Sequence, residues 1–315
     1  GEGQPPGCRS ENIVALCDVD SNYAGNVFKA YPKAAQYADY RVMLEKQKDI
    51  DAVVIATPDH THAVITMDAI QAGQHIYCQK PLTHTVHEAR MITEAARKSK
   101  VQTQMGNQGH SGEGIRQVTE YIAAGLIGKV REVHTWTNRP IWPQSSEMDR
   151  PSEAQKAPEG MDWDQWCGPA PLRPFHASYH PGKWRAWWDF GTGSLGDMGC
   201  HIIDPAFMAL DLRYPISVEG NVSTVFETFG KKTTGKFESY PRSSVVRFKF
   251  PARGEMPPVT LTWWDGGLMP QRPDELEDDI AKGIVRFLVD VYDETGETVA
   301  LATILTMVRK LDQRN

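Results

Sequence analysis

Basic clusters, long apolar runs and paired cysteines are all missing from this chain of 315 residues, and each gap excludes a class of protein. Lys and Arg form no cluster and the formal charge is −6, so no nucleic-acid partner is expected. No apolar run approaches the ~20 residues that span a bilayer, so no membrane partner is expected either. The five cysteines (Cys8, Cys17, Cys78, Cys167, Cys200) are dispersed and make no CxxC pair. They read as reduced thiols rather than a disulfide framework, which favours a cytoplasmic setting. No signal peptide is visible, but the sequence opens at Gly1 without a Met, so removal of a leading export segment stays an open reading.

What is present is the composition of a globular protein, 40% hydrophobic and 23% charged, at a length that fits one large or two ordinary domains. The first third alternates short apolar runs with helical patterns. Asn12–Cys17, Asp51–Ala56, His75–Cys78 and Val101–Met105 read as strands. Helix is clearest at Val86–Lys98, where Ala89, Ile92, Ala95 and Ala96 recur at helical spacing. Such alternation predicts a parallel sheet covered on both faces.

The pattern changes near residue 110. A helix at Gly114–Ala124 and a strand at Arg131–Thr137 precede a long Pro- and Trp-rich stretch that reaches Trp188. Strands follow at Ser217–Thr224, Ser243–Phe250 and Val259–Trp264. Val246, Phe248 and Phe250 alternate with Arg247 and Lys249, as in an antiparallel sheet with one wet face. The fold class is therefore an α/β nucleotide domain followed by an α+β domain. The Trp-rich stretch reads either as a core under a long loop or as a platform for sugar rings, and the packing energy of buried aromatics favours the core.

Ligands of open parallel sheets bind beyond the carboxyl ends of the strands. Asp18 ends one strand, where a carboxylate can accept from adenosine ribose hydroxyls and repel a 2′-phosphate, or simply cap a turn. Thr57-Pro58-Asp59-His60-Thr61-His62 follows another strand, and Asp59 or Thr61 there can equally cap a helix starting near His62. Lys80 precedes Pro81, which holds it extended at a strand end; in isolation it reads as solvated surface. Farther on, Asp197, His201 and Asp204 stand at i, i+4 and i+7, one face of a helix if the segment is helical. Histidine can take a proton from a hydroxyl, with a carboxylate to orient it. Pro205 requires that helix to bend or lose a bond to the His201 carbonyl. The entry Gly191-Thr192-Gly193 permits close backbone approach to a ligand. A hydrolytic metal centre on Asp197, His201 and Asp204 is the weakest reading, because no HExxH-like or Cys-rich spacing accompanies them, and no metal is expected.

Three runs in order, Ala56-Thr57-Pro58-Asp59-His60-Thr61-His62, Cys78-Gln79-Lys80-Pro81-Leu82 and Gly196-Asp197-Met198-Gly199-Cys200-His201-Ile202-Ile203-Asp204, resemble signatures of the Gfo/Idh/MocA oxidoreductases (glucose–fructose oxidoreductase, inositol dehydrogenase and rhizopine-catabolism proteins). The resemblance covers roughly residues 11 to 273. It implies a Rossmann-like parallel sheet domain over 1–109 and an α+β substrate domain with an open, mostly antiparallel sheet over 110–273. The family pattern fades after that, and residues 274–315 read instead as a divergent tail hairpin, with strands at Gly283–Tyr292 and Thr298–Val308 around a turn at Asp293–Gly296. The resemblance also implies homo-oligomers, NAD as cofactor in preference to NADP, and a sugar or polyol substrate. Carried over by position, Lys80, Asp197 and His201 are catalytic. Asp18, Thr57, Pro58, His62, Gln79 and Lys80 bind cofactor. Apart from the carried-over positions, the run Asn107-Gln108-Gly109-His110 and the Trp-rich stretch suit a sugar, so Asn107, His110 and Trp188, together with Asp197, are expected to bind substrate. Gln79 stands where the family has Glu before the lysine. Gly1, Gly3 and Gly7 follow no strand, so the opening strand and its phosphate-binding turn are missing from the pattern. The expected activity is hydride transfer between NAD and a secondary hydroxyl. The alternatives are an NAD-dependent glycoside hydrolase of the same family and a non-catalytic remnant that has lost dinucleotide binding.

Overall fold

The computed structural model describes residues 8, 10–145, 148–223, 238–271, 284–292 and 298–307. Gly1, Gly3, Gly7 and the expected turn Asp293–Gly296 lie outside them. The chain divides into two compact units. One is Gly1–Gly106 with Arg150–Thr192; the other is Asn107–Asp149 with Gly193–Asn315.

The first unit begins with β1 (Ala15–Cys17), α1 (Gly25–Ala30), β2 (Ala35–Tyr37), α2 (Tyr40–Lys46), β3 (Ala52–Ile55), α3 (Asp59–Gln71), β4 (His75–Gln79), α4 (Val86–Lys98) and β5 (Thr103–Gly106). All strand pairs are parallel, but β1 pairs only with β2, and β3, β4 and β5 form a separate sheet. Among the described residues no strand joins the two sheets. Val53, Ile55, Ile76 and Cys78 pack with Ala63, Ile65, Ala69 and Ile70 of α3 and Ile92 of α4. Val54 on the other face of β3 is 40% exposed, so the expected burial of both faces does not hold there: the helices of this core lie against the Val53 and Ile55 side. The N-terminus of α4 is closed by a capping box. The Glu88 backbone N–H donates to the Thr85 hydroxyl, and the Glu88 carboxylate accepts from the Thr85 N–H.

Residues 150–192 join this unit rather than the second, which differs from the 110–273 domain expected from the sequence. The reason lies in backbone pairing and ring packing. Asp162 N–H donates to Val19 O at 2.8 Å and Ser21 N–H to Gly160 O at 3.0 Å. In α6 (Trp163–Cys167) the Trp163 and Trp166 rings stack 4.6 Å apart, and His60 of α3 lies 5.2 Å from Trp166 and 5.1 Å from Phe190. Trp166, Trp184 and Trp187 are buried, so these tryptophans form core; Trp188 is exposed.

The second unit contains α5 (Glu113–Ala123), β6 (Glu132–Trp136), α7 (Gly193–Ile202), α8 (Asp204–Ala209), β7 (Ser217–Val222), β8 (Ser244–Phe250), β9 (Val259–Trp264), β10 (Ile284–Tyr292) and β11 (Thr298–Met307). Its six strands run in the order β10-β11-β6-β9-β8-β7. Only β6 and β9 are parallel; every other neighbouring pair is antiparallel. The tail strands thus extend this sheet, with Leu305 of β11 opposite His134 of β6. The helix carrying Asp197 and His201 packs through Leu195, Met198 and Ile202 on Trp263, Val246 and Phe248 of the sheet. Met198 and Ile202 are one residue offset from Asp197 and His201, about 100° around the helix. That offset turns the polar pair off the sheet-facing stripe.

Candidate active-site residues

The carboxyl ends of the parallel strands collect the first group. Asp18 follows β1, and its Oδ1 accepts from the Asp20 N–H at 2.9 Å. Burial pushes the Asp18 carboxyl above its ordinary range, against the pull of that bond. The turn role expected for Asp18 is thus filled by that bond. After β3, the Thr61 hydroxyl lies 2.7 Å from Thr57 Oγ1 and 2.9 Å from Pro58 O. Neither Asp59 nor Thr61 caps α3: the helix starts at Asp59 after Pro58 with no side-chain cap. Asp59 is buried and accepts from the Thr192 hydroxyl at 2.7 Å. His62 is buried with both ring nitrogens against backbone carbonyls, Pro81 O and Thr57 O.

Lys80 follows β4, is half-buried, and its backbone N–H donates to Gly106 O at 3.3 Å. Gly106 leaves room there for the side chains of Tyr77 and Gln79. A Cβ would stand 2.6 Å from the Tyr77 ring and 2.9 Å from Gln79 Oε1, so a larger residue would displace the side chain next to Lys80.

The second group is built around α7. Asp197 and His201 are both buried, one turn apart. His201 Nδ1 lies 3.2 Å from the Gln108 carbonyl. A carbonyl only accepts, so Nδ1 carries the hydrogen and the neutral ring keeps its basic lone pair on Nε2. The helix ends at Ile202 and α8 restarts at Asp204, with Pro205 in its first turn. Asp204 therefore leaves the shared face expected from i, i+4, i+7 spacing. It accepts instead from His110 Nδ1 at 2.7 Å. Asn107 donates through Nδ2 to Cys200 O at 2.7 Å, and its buried Oδ1 has no hydrogen-bond partner among the described residues.

Gly193 opens α7 at φ +62°, and a Cβ on it would meet the Tyr240 ring at 2.7 Å; one on Gly191 would meet the Arg185 backbone at 2.5 Å. At these two glycines the backbone comes close to the Arg185 main chain and the Tyr240 ring. Lys80, Asp18, Thr57, Pro58, His62, Gln79 and Trp188 belong to the first compact unit, and Asn107, His110, Asp197 and His201 to the second. The sequence reading missed the Gln108 carbonyl as the orienting group of His201, the His110–Asp204 pair and both partners of His62. Backbone carbonyls leave no residue-type signal, and His110 and Asp204 are 94 positions apart. Among the described residues no group of three His, Cys, Asp or Glu side chains is arranged to hold a metal ion, and no helix is long and apolar enough to cross a membrane.

Comparison with known proteins gives two family matches in tandem, the second running across residues 150–192. The family model described as "Oxidoreductase family, NAD-binding Rossmann fold" matches residues 6–107, and that of the family's C-terminal alpha/beta domain matches residues 112–228. The inositol 2-dehydrogenase of Salmonella paratyphi B is 30% identical over 124 residues, 39% of this chain and 37% of that protein. The levoglucosan dehydrogenase of Pseudarthrobacter phenanthrenivorans is 26% identical over 215 residues, 68% of this chain and 45% of that protein. The chain thus covers under half the length of either relative. The WlbA dehydrogenase of Bordetella pertussis, solved with NADH and UDP-GlcNAcA, shares the fold at TM-score 0.58 and 17% identity, over 85% of this chain and 67% of that one. With both of its characteristic domains matched, the chain belongs to the Gfo/Idh/MocA family of oxidoreductases.

Proposed function

We propose that the chain serves an NAD-dependent oxidoreductase that moves hydride between the nicotinamide and a secondary hydroxyl of a sugar, polyol or derivative. The observation that carries this reading is the tautomer of His201. With Nδ1–H committed to the Gln108 carbonyl, the lone pair on Nε2 is the group that takes a hydroxyl proton. Asp197, buried one turn away on the same helix, favours the charged ring as that proton arrives. Asn107 offers its unsatisfied Oδ1 to a substrate hydroxyl. His110, oriented by Asp204, and Trp188 serve as further substrate ligands. Lys80 is a second proton-handling or substrate-binding group.

The strand-end residues fit the ribose and nicotinamide parts of a dinucleotide. Asp18 is a half-buried acceptor whose carboxylate favours NAD over NADP, and Thr57, Pro58, Gln79 and Lys80 lie at the ends of β3 and β4. No glycine-rich phosphate turn occurs among the described residues. When bound, NAD supplies the acceptor for the hydride. The relatives named for inositol and levoglucosan support a polyhydroxylated substrate. A homo-oligomeric, cytoplasmic protein belongs to the same reading.

The test is incubation of the chain with NAD and a panel of sugars, polyols and glycosides. Rising NADH absorbance with at least one free sugar or polyol is the expected result. Release of free sugar from a glycoside without net NADH would replace this reading with the NAD-dependent glycoside hydrolase. No turnover at all would favour the non-catalytic remnant.

A further inference from the structure

His62 lies in the first turn of α3 and is 1% exposed. Its Nδ1 is 2.7 Å from Pro81 O and its Nε2 is 2.7 Å from Thr57 O. Both partners are carbonyls, which only accept. A neutral imidazole has one N–H, so in either tautomer one ring lone pair would face a carbonyl lone pair at 2.7 Å. At a buried position no water relieves that contact. Only the imidazolium donates to both.

A buried charge needs compensation, and here the buried Asp59 carboxylate, one turn earlier on α3, supplies it; the Cys78 thiol of β4 also lies against the ring. Burial alone would lower the His62 pKa; Cys78, Asp59 and the Pro81 carbonyl outweigh it and raise it to about 9. The third titratable neighbour, His60, gives the contrast. It too bridges two carbonyls, those of Phe190 and Trp166, but at the longer distances of 3.1 and 3.0 Å, where a bare ring nitrogen is tolerated. Burial pushes it down to about 4.

We propose that His62 is an imidazolium clasp that joins the loop after β3 to the loop after β4 and so holds Thr57, Pro58 and Lys80 as one platform. His62 is then a positioning residue rather than a direct ligand of the cofactor, the role its place in the family pattern implies. The consequence for Lys80 rests on the dehydrogenase reading; the charge on the ring does not.

The experiment is nitrogen-15 NMR of the ring nitrogens in histidine-labelled full chain, with His62→Gln used for assignment. Both His62 nitrogens are expected to be protonated at neutral pH and to lose a proton only near pH 9. One protonated and one bare nitrogen at pH 7 would overturn the clasp. A second readout follows from linkage. A folded pKa raised above the unfolded value of about 6.5 stabilises fully below pH 6.5 and loses that contribution as pH rises through about 9. The wild-type melting temperature should fall across that window more than that of His62→Gln; equal falls in both would contradict the clasp. With substrate in hand, His62→Gln should lower kcat by about 10- to 100-fold with a smaller change in KM. If the nitrogens prove doubly protonated and no NADH ever forms, the clasp stands and the dehydrogenase reading falls.

Discussion

Replacing His201 with alanine should lower turnover by about 10²- to 10⁴-fold, the contribution of a positioned general acid–base group. The size follows from the local geometry. Nothing else on α7 can replace a nitrogen whose tautomer is set by the Gln108 carbonyl at 3.2 Å. His201→Gln keeps a donor for that carbonyl but has no basic nitrogen, so it should fold like the parent and still be inactive. Lys80→Ala should also lose turnover while the sheet it follows stays intact. Steady-state rates with a circular dichroism melt on each variant separate chemistry from folding. Unchanged turnover in both His201→Ala and Lys80→Ala would remove these residues from the mechanism.

The second large effect is on stability, and it separates two adjacent tryptophans. Trp187 is fully buried, donates from its indole N–H to Ser178 O at 2.9 Å, and lies 5.1 Å from the Tyr179 ring. Trp187→Ala removes that ring contact, leaves a cavity and orphans an acceptor, so it should cost about 3–5 kcal/mol. Trp188 is 46% exposed, so Trp188→Ala should cost about 0.5 kcal/mol or less and act on substrate KM instead. Urea denaturation of the two variants checks the contrast. Equal losses would mean that the ring cluster of residues 150–192 does not hold the first unit together as described.

Elements with a strong period were legible from residues alone. Val86–Lys98 has the helix bounds expected, and Val259–Trp264 the strand bounds. Both carry enough apolar residues in register to identify their buried sides. The tail strands, expected at Gly283–Tyr292 and Thr298–Val308, run over Ile284–Tyr292 and Thr298–Met307. Three-residue β2, Ala35–Tyr37, offers too few positions for a period to register. Residues 150–192 were assigned to the other domain because their attachment runs through main-chain groups, such as Val19 O and Gly160 O, and through carbonyls bridged by His60.

The candidate site divides along the same line. Asp197 and His201 were found from helical spacing, and α7 keeps them one turn apart. Asp204 was grouped with them by the same spacing, but Pro205 starts a new helix and hands its carboxylate to His110. The residues were readable; the partners that set their protonation were not. His62 shows this most sharply, since its neighbours in sequence suggest a cofactor loop while its two acceptors belong to separate loops.

On the proposed function, the carboxyl ends of the parallel strands bind a dinucleotide. Calorimetric titration of NAD into the purified chain tests it most directly. Saturable binding with Kd below about 1 mM, in the range typical of cofactors and substrates, weakened in Asp18→Ala, is the expected result. No heat of binding at millimolar NAD from a chain that melts cooperatively would contradict it.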